Sequence, residues 1–306
     1  MSSSISNFKK IIITALLLII SFGLFKLYYL SVYSAHNQPI DKYFWIQKTH
    51  AKQIYDVIAV GDSRVYRGLS PAEMSKELGN VKIHNFGYRS AGFGLSLIDA
   101  AVKKLRPTGE KIIILGITPH SLTRTAATNS HFRECKAQFP YPTILRYLEK
   151  FFGSHTTRAS VMNLFDKQNL ESAPYEFAHS DGWAECIFPL NPEVGIPIYQ
   201  KRFSKNKVDG HVTEALLKKV NELSRSGYKV FGYRPPTFSQ MEELENSCSG
   251  FDEGAFIRAF EAAGGQWIPL DDRFSFDSYD GSHLVGSSAR KLSRELGKKI
   301  QERLRK

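Results

Sequence analysis

Cysteine is scarce in this chain: Cys135, Cys186 and Cys248 are its only three among 306 residues. They are widely spaced, and no cluster of His or Cys has the spacing of metal ligands, so we expect neither a metal site nor a cofactor. In an oxidising compartment Cys135 and Cys186 can pair and leave Cys248 free, and three buried free thiols are the alternative.

Zinc-finger spacing, RNP-like aromatic patterns and internal repeats are also absent. We therefore expect no nucleic-acid partner, although the formal net charge is +11. Much of this charge lies in residues 201–207 and 290–306, which indicates a solvated surface or attraction to anionic envelope material. The apolar share of 42% and the aromatic share of 12% suffice for a packed core, so disorder is expected only at the ends.

Charge is nearly missing from residues 11–33, where only Lys26 interrupts an apolar run. A bilayer span takes about 20 residues, and Lys26 near its outer end can extend its side chain to the interface beside the tyrosines. Lys9 and Lys10 favour a cytoplasmic amino terminus. We predict an uncleaved, single-pass signal anchor in residues 1–35, with residues 36–306 outside the cytoplasm, periplasmic or extracellular. A cleaved signal peptide and a core helix are the alternatives.

Apolar runs and helical patterns alternate through the rest of the chain. The predicted strands cover residues 56–60, 81–86, 111–117, 228–233 and 267–270, and the predicted helices cover residues 71–78, 93–105, 212–226, 241–263 in two parts, and 292–304. This alternation predicts an α/β fold, a doubly wound, flavodoxin-like parallel sheet of five strands with helices on both faces. Residues 123–206 break it, and we expect a lid-like insertion there, with a helix at 141–152, over the carboxyl edge of the sheet.

Two motifs carry the candidate chemistry. Residues 56–67 read DVIAVGDSRVYR, a buried strand followed by a turn that Gly61 permits and that exposes Ser63 at the sheet edge. Residues 277–284 read DSYDGSHL and contain Asp280 and His283 ahead of the last helix. A serine nucleophile needs a base, and the base needs a carboxylate that orients it. The alternatives are a plain turn at Ser63, a helix cap at Asp280 and a surface position for His283.

Together these motifs resemble the SGNH, or GDSL-type, hydrolase superfamily over residues 56–306 without the insertion. The resemblance implies Ser63 as nucleophile, His283 as base and Asp280 as its orienting acid. It also implies that the backbone amides of Ser63 and Gly87, which follows the second strand, hold the oxyanion.

The sequence departs from the family after the third strand. The family places an asparagine two residues after the strand's glycine, and its side chain completes the oxyanion hole; Thr118 stands there in this chain. A threonine hydroxyl donates one hydrogen bond from a shorter side chain. Either Thr118 or a neighbour such as His120 substitutes, or the site is slow, or the protein is not a hydrolase. For His120 we favour a surface loop position.

The resemblance and the predicted anchor together imply a membrane-anchored serine acyl-ester enzyme outside the cytoplasm. The expected reaction is transfer of an O-acyl (acetyl) group to a cell-envelope polysaccharide, or its removal, through an acyl-serine intermediate, with a slight preference for transfer. Membrane-tethered members with this layout act beside a multi-span acyl-transporting protein, which is the expected partner. The alternative is an inactive binding or scaffold protein of SGNH fold in a polysaccharide-modification complex.

Overall fold

The computed structural model describes residues 10, 12–25, 40, 42–128, 131–140 and 175–305. The chain divides into two units, Met1–Pro39 with Tyr141–Ala173 and Ile40–Pro140 with Pro174–Lys306. In the first unit, residues 12–25 are helical. No helix within the described ranges is both long and apolar enough to cross a membrane. Apart from residue 10, the rest of the predicted anchor lies outside the described residues, as does the predicted helix at 141–152.

A parallel sheet forms the centre of the second unit. In chain order the strands of its described part are β1 (Val57–Gly61), β2 (Ile83–Gly87), β3 (Ile112–Gly116), β4 (Tyr175–Ala178), β5 (Ala184–Ile187), β6 (Lys229–Tyr233) and β7 (Gln266–Trp267). The sheet order is β2-β1-β3-β6-β7 with all neighbours parallel, while β4 and β5 form a separate antiparallel pair. The five-stranded order is the flavodoxin-like one, so the predicted sheet is confirmed.

Helices pack on both faces of this sheet. The α-helices in the described part of the second unit are α1 (Lys42–Thr49), α2 (Ser63–Gly68), α3 (Pro71–Glu77), α4 (Leu95–Val102), α5 (Arg124–Ala127), α6 (His131–Ala137), α7 (Ile196–Phe203), α8 (Gly210–Arg225), α9 (Ser239–Cys248), α10 (Glu253–Ala262) and α11 (Gly286–Leu304). A short 3₁₀ helix, His120–Leu122, follows β3.

Alternation along the strands divides the core into two layers. Ile58 and Val60 of β1 belong to the cluster that contains the apolar faces of α4, α8 and α10. Val57 and Ala59 belong to the cluster that contains those of α3 and α11. Because successive strand side chains point to opposite faces, a continuous apolar run serves both layers.

The structure differs most from the prediction in the segment 123–206, the predicted insertion. Its described part contains the β4–β5 hairpin and the helices α5, α6 and α7, none of which the sequence predicted. These elements span only four to eight residues each. Such short segments hold too few repeats for a period of 2 or 3.6 to emerge.

The cysteines are unpaired in the described structure. Cys135 and Cys186 are buried free thiols and Cys248 is a half-buried one, so of the two alternatives it is the free thiols, and not the Cys135–Cys186 disulfide, that the structure has. Burial raises the pKa of the Cys135 thiol to about 11 and that of the Cys186 thiol to about 12. Both thiols are therefore protonated at neutral pH and weak as nucleophiles.

Candidate active site

Ser63 is the first residue of α2, which begins where β1 ends. A Cβ on Gly61 would lie 2.3 Å from Cγ2 of Val65, so only glycine lets the first turn of α2 fold back on the strand. Asp62 caps this turn, and its Oδ1 accepts a hydrogen bond from the Arg64 amide at 2.9 Å. The first amides of a helix have no partner within the helix, and the Ser63 amide holds such a position. Its hydroxyl and amide therefore lie together at the carboxyl edge of the sheet.

The turn before α11 brings two further predicted residues to Ser63. His283 Nε2 lies 2.7 Å from Ser63 Oγ, and His283 Nδ1 lies 2.7 Å from Asp280 Oδ2. The Ser63 and His283 positions are 220 residues apart in the chain. Tertiary packing thus places Ser63, His283 and Asp280 in one hydrogen-bonded row.

The ionisation of Asp280 fixes the direction of these bonds. Burial raises the pKa of Asp280, but hydrogen bonds from the His283 ring and from the Ser282 and His283 amides outweigh burial and hold this pKa at about 2. Asp280 Oδ1 accepts those amides at 2.9 and 2.7 Å. An ionised carboxylate only accepts, so Nδ1 carries the imidazole proton and Nε2 accepts the Ser63 proton.

His283 is held as the neutral imidazole. Burial lowers its pKa below the ordinary histidine value; Asp280 acts in the opposite direction, while the charges of Arg67 and Arg64 lower it further. His283 is 9% exposed, so its ring is largely shielded from water. A neutral imidazole at pH 7 is the form that can accept a proton from a hydroxyl.

Gly87 lies directly against the turn that carries Ser63. A Cβ on Gly87 would lie 2.6 Å from the Tyr66 nitrogen and 3.0 Å from the Asp62 carbonyl oxygen. The Gly87 amide, predicted to be an oxyanion donor, donates to Oδ1 of Asn85 at 3.1 Å. The structure therefore brings Gly87 to the predicted place with its N–H already in a hydrogen bond.

Asn85 is a positioning residue that sequence reasoning missed. Its Nδ2 donates to the carbonyl oxygen of Val65 within α2 at 2.8 Å and to that of Leu69, which caps the end of α2, at 2.7 Å. Asn85 is completely buried within β2. A polar amide inside an apolar strand was the available signal, because buried polar groups require partners.

Thr118 also has its hydroxyl engaged. It donates to Asp62 Oδ2 at 2.6 Å and accepts from the Ser121 amide at 3.0 Å. A hydroxyl has one proton to donate, so Thr118 supports the Asp62 cap and does not present a free donor to an oxyanion. This replaces the expected role of Thr118 with that of a support for the Ser63 turn.

His120 is buried, and the expectation of a surface loop position was wrong. It is 5% exposed, and neither ring nitrogen has a hydrogen-bond partner in the described part of the chain. Burial lowers the pKa of His120 to about 4; Asp62 opposes this, and Arg202 and Arg64 add to it. The imidazole is neutral at pH 7 and holds one N–H donor at the end of β3.

The β4–β5 hairpin and the residue that precedes α7 hydrogen-bond to the helix that carries Ser63 and to the turn that carries Asp280. Trp183 Nε1 donates to the Arg67 carbonyl at 2.8 Å, and the Gly195 amide donates to the Asp280 carbonyl at 3.1 Å. The described end of the predicted insertion thus supports the Ser63 helix and the Asp280 turn. Within the described ranges no group of three or more His, Cys, Asp or Glu side chains could hold a metal ion.

No family profile and no curated protein matches this chain. Among solved structures it is similar to a candidate platelet activating factor from Streptococcus pneumoniae, at a TM-score of 0.40 and 11% identity, over 94% of this chain and 98% of that one. It is similar to a carbohydrate acetylesterase family member from Sinorhizobium meliloti at a TM-score of 0.37 and 10% identity, over 82% and 100%. A further carbohydrate acetylesterase from that organism gives a TM-score of 0.33 and 13% identity, over 81% and 97%. These likenesses assign neither a family nor a substrate to the chain.

Proposed function

We propose that this chain is a serine acyl-ester enzyme of SGNH type. The observation that carries the proposal is the row of two 2.7 Å contacts that joins Ser63 to His283 and His283 to Asp280. The row supplies a nucleophile, a neutral base and a carboxylate that fixes the tautomer of that base. Ser63 and His283 are the proposed catalytic residues, and Asp280 orients His283.

The reaction follows from these positions. Ser63 Oγ attacks the ester carbonyl while Nε2 of His283 takes its proton, and the Ser63 amide donates to the oxygen that becomes negative. The alcohol leaves with the proton from His283, and an acyl-serine remains. Water, or a hydroxyl of a second substrate, then gives its proton to His283 and attacks the acyl group. The bond between the acyl carbon and Ser63 Oγ breaks as His283 returns the proton to Oγ, which releases the product of hydrolysis or transfer and restores the free enzyme.

For the substrate we propose the O-acyl, and specifically O-acetyl, groups of a cell-envelope polysaccharide. The predicted anchor in residues 1–35 supports a location at the outer side of the membrane, beside a multi-span acyl-transporting partner. The net charge of +11 supports attraction to an anionic polymer. A phosphatase domain fused after residue 306 tests this location, because such a reporter is active only when it is exported; an inactive fusion would reject it.

One observation favours the rival function, an inactive scaffold. Of the predicted oxyanion donors, the Thr118 hydroxyl donates to Asp62 and the Gly87 amide donates to Asn85. Only the Ser63 amide then remains among them, and the loss of one oxyanion donor costs about 10² to 10³ in rate. A scaffold would retain the fold and its hydrogen bonds without turnover.

Labelling with a fluorophosphonate probe separates the two functions. We expect the full-length chain to gain one adduct by intact mass, and Ser63→Ala and His283→Ala to gain none. His211→Ala is the matched control, because His211 is an exposed histidine in the first turn of α8. Equal labelling of wild type and Ser63→Ala would reject Ser63 as the nucleophile, and no labelling of any variant would favour the scaffold.

A further inference from the structure

Helix α2 carries two arginines that reach the turn containing Asp280 and His283. Arg64 Nε donates to Ser282 Oγ at 3.0 Å, and Arg67 Nη1 donates to the Tyr279 hydroxyl at 2.7 Å. Ser282 directly precedes the base, and Tyr279 directly precedes its carboxylate. Positions three apart lie on one face of a helix, so both guanidinium groups hydrogen-bond to the same turn, one at each end of it.

Arg64 is itself rigidly held. It is 3% exposed, and its Nη1 and Nη2 donate to the two carboxylate oxygens of Glu245 at 3.3 and 2.5 Å. Glu245 is completely buried and also accepts from Arg234 at 3.1 Å. A guanidinium that is paired on both terminal nitrogens keeps one orientation. Its Nε–H is therefore directed at Ser282.

Ser282 and Tyr279, which accept these arginine hydrogen bonds, are themselves held close to His283 and Asp280. Ser282 is 1% exposed, and its hydroxyl donates to the Tyr199 hydroxyl at 2.7 Å. The Tyr279 ring stacks on the His283 ring with centroids 5.8 Å apart and an angle of 18°, and the Tyr279 amide donates to the His283 carbonyl at 3.1 Å. Arg67 also pairs with Glu176 of β4, which fixes its outer end.

We propose that Arg64 and Arg67 are positioning residues that clamp the Asp280–His283 turn onto α2 and so set the contact between Ser63 and His283. The inference rests on the proposed function for its kinetic effect. The hydrogen bonds of the described residues that join α2 to this turn are the Ser63–His283 contact and the two arginine bonds. A shift of the base by 1 Å can cost about 100-fold in rate.

Two variants remove the clamp and leave both arginines in place. Ser282→Ala deletes the acceptor of Arg64, and Tyr279→Phe deletes the acceptor of Arg67 but keeps the ring on His283. Ser293→Ala is the matched control, because this buried serine of α11 likewise accepts an N–H, from Ser70 at 2.7 Å. Each full-length variant is compared by thermal midpoint, by the maximal rate and half-saturating concentration of fluorophosphonate labelling, and by NMR titration of the His283 ring.

We expect each clamp variant to lower the maximal labelling rate about tenfold, and the double variant about 100-fold, at an unchanged half-saturating concentration. We expect the pKa of His283 to rise towards its ordinary value of about 6.5. The reason is that water reaches the ring, while Asp280 stays in the same turn and Arg64 and Arg67 keep their charges. Ser293→Ala should match wild type in rate and in this pKa at a similar thermal midpoint.

Clamp variants that match Ser293→Ala in both the labelling rate and the His283 titration would overturn the inference. A wild type that does not label rejects the proposed function instead. The titration still decides about the clamp in that case, because it requires no turnover. A His283 pKa that stays at the wild-type value in the double variant would then reject the clamp.

Discussion

Replacement of Asp280 by asparagine tests the direction of the hydrogen-bonded row. The carboxylate accepts from His283 Nδ1 at 2.7 Å and from two backbone amides through its other oxygen. Asparagine keeps one oxygen for the amides but turns an NH₂ group towards Nδ1. Because NH₂ cannot accept, the imidazole must carry its proton on Nε2 and present it to Ser63. The base is then present in the wrong tautomer.

The magnitude follows from this tautomer change. When the carboxylate of a Ser-His-Asp arrangement becomes an amide with unchanged geometry, the rate falls about 10⁴-fold. Each factor of ten corresponds to about 1.4 kcal/mol of activation free energy, so Asp280→Asn should raise the barrier by about 5.5 kcal/mol. Folding should persist, because the bonds to the Ser282 and His283 amides remain.

The assay is the second-order rate constant of fluorophosphonate labelling at pH 7, with hydrolysis of a p-nitrophenyl ester as a second readout. Asp277→Asn is the control, since Asp277 lies three residues earlier and is exposed. A loss of less than about tenfold in Asp280→Asn, at an unchanged thermal midpoint, would refute the assigned tautomer and the orienting role of Asp280.

Three further outcomes are expected. Burial lowers the pKa of His283, and a protonated imidazole cannot accept the Ser63 proton. The labelling rate should therefore rise with pH and reach half its maximum below about pH 6.5. A midpoint above this pH would contradict the assignment of His283 as the base. Thr118→Val should lower the free energy of unfolding in urea by about 1–3 kcal/mol and the labelling rate less than tenfold, whereas a loss of about 100-fold would show that its hydroxyl acts on the oxyanion. Gly87→Ala should lower the free energy of unfolding in urea by about 1–3 kcal/mol, because the new Cβ would meet the Tyr66 nitrogen. An unchanged urea midpoint would disprove this close packing.

The central strands of the sheet are evident from the sequence, because β1, β3 and β6 are local, largely apolar runs. The strand predicted at 111–117 is observed as Ile112–Gly116, and the one predicted at 228–233 as Lys229–Tyr233. The last helix was predicted from its apolar stripe, and it begins earlier, at Gly286. The hairpin β4–β5 was missed, since its strands of four residues are stabilised by their mutual pairing.

At the candidate site, too, local motifs are evident from the sequence, whereas contacts between distant segments are not. Ser63, Asp280 and His283 stand out in the sequence because each belongs to a short motif of chemically suited residues. Their contact depends on the order of the strands, which brings the end of β1 and the turn before α11 to one edge of the sheet. The sequence therefore supplies the candidates, and the fold supplies the distances.

What the sequence determined by itself is the α/β class, the central strands and the three candidate residues, because hydrophobic period and motif spacing are properties of contiguous segments. Only the tertiary structure decided the burial of His120 and the hydrogen bonds from Thr118 to Asp62 and from Arg64 to Ser282. The Arg64–Ser282 bond joins residues 218 positions apart, and the Thr118–Asp62 bond joins residues 56 apart. A polar side chain accepts whichever partner the packed chain brings within hydrogen-bond distance, and no local pattern encodes that partner.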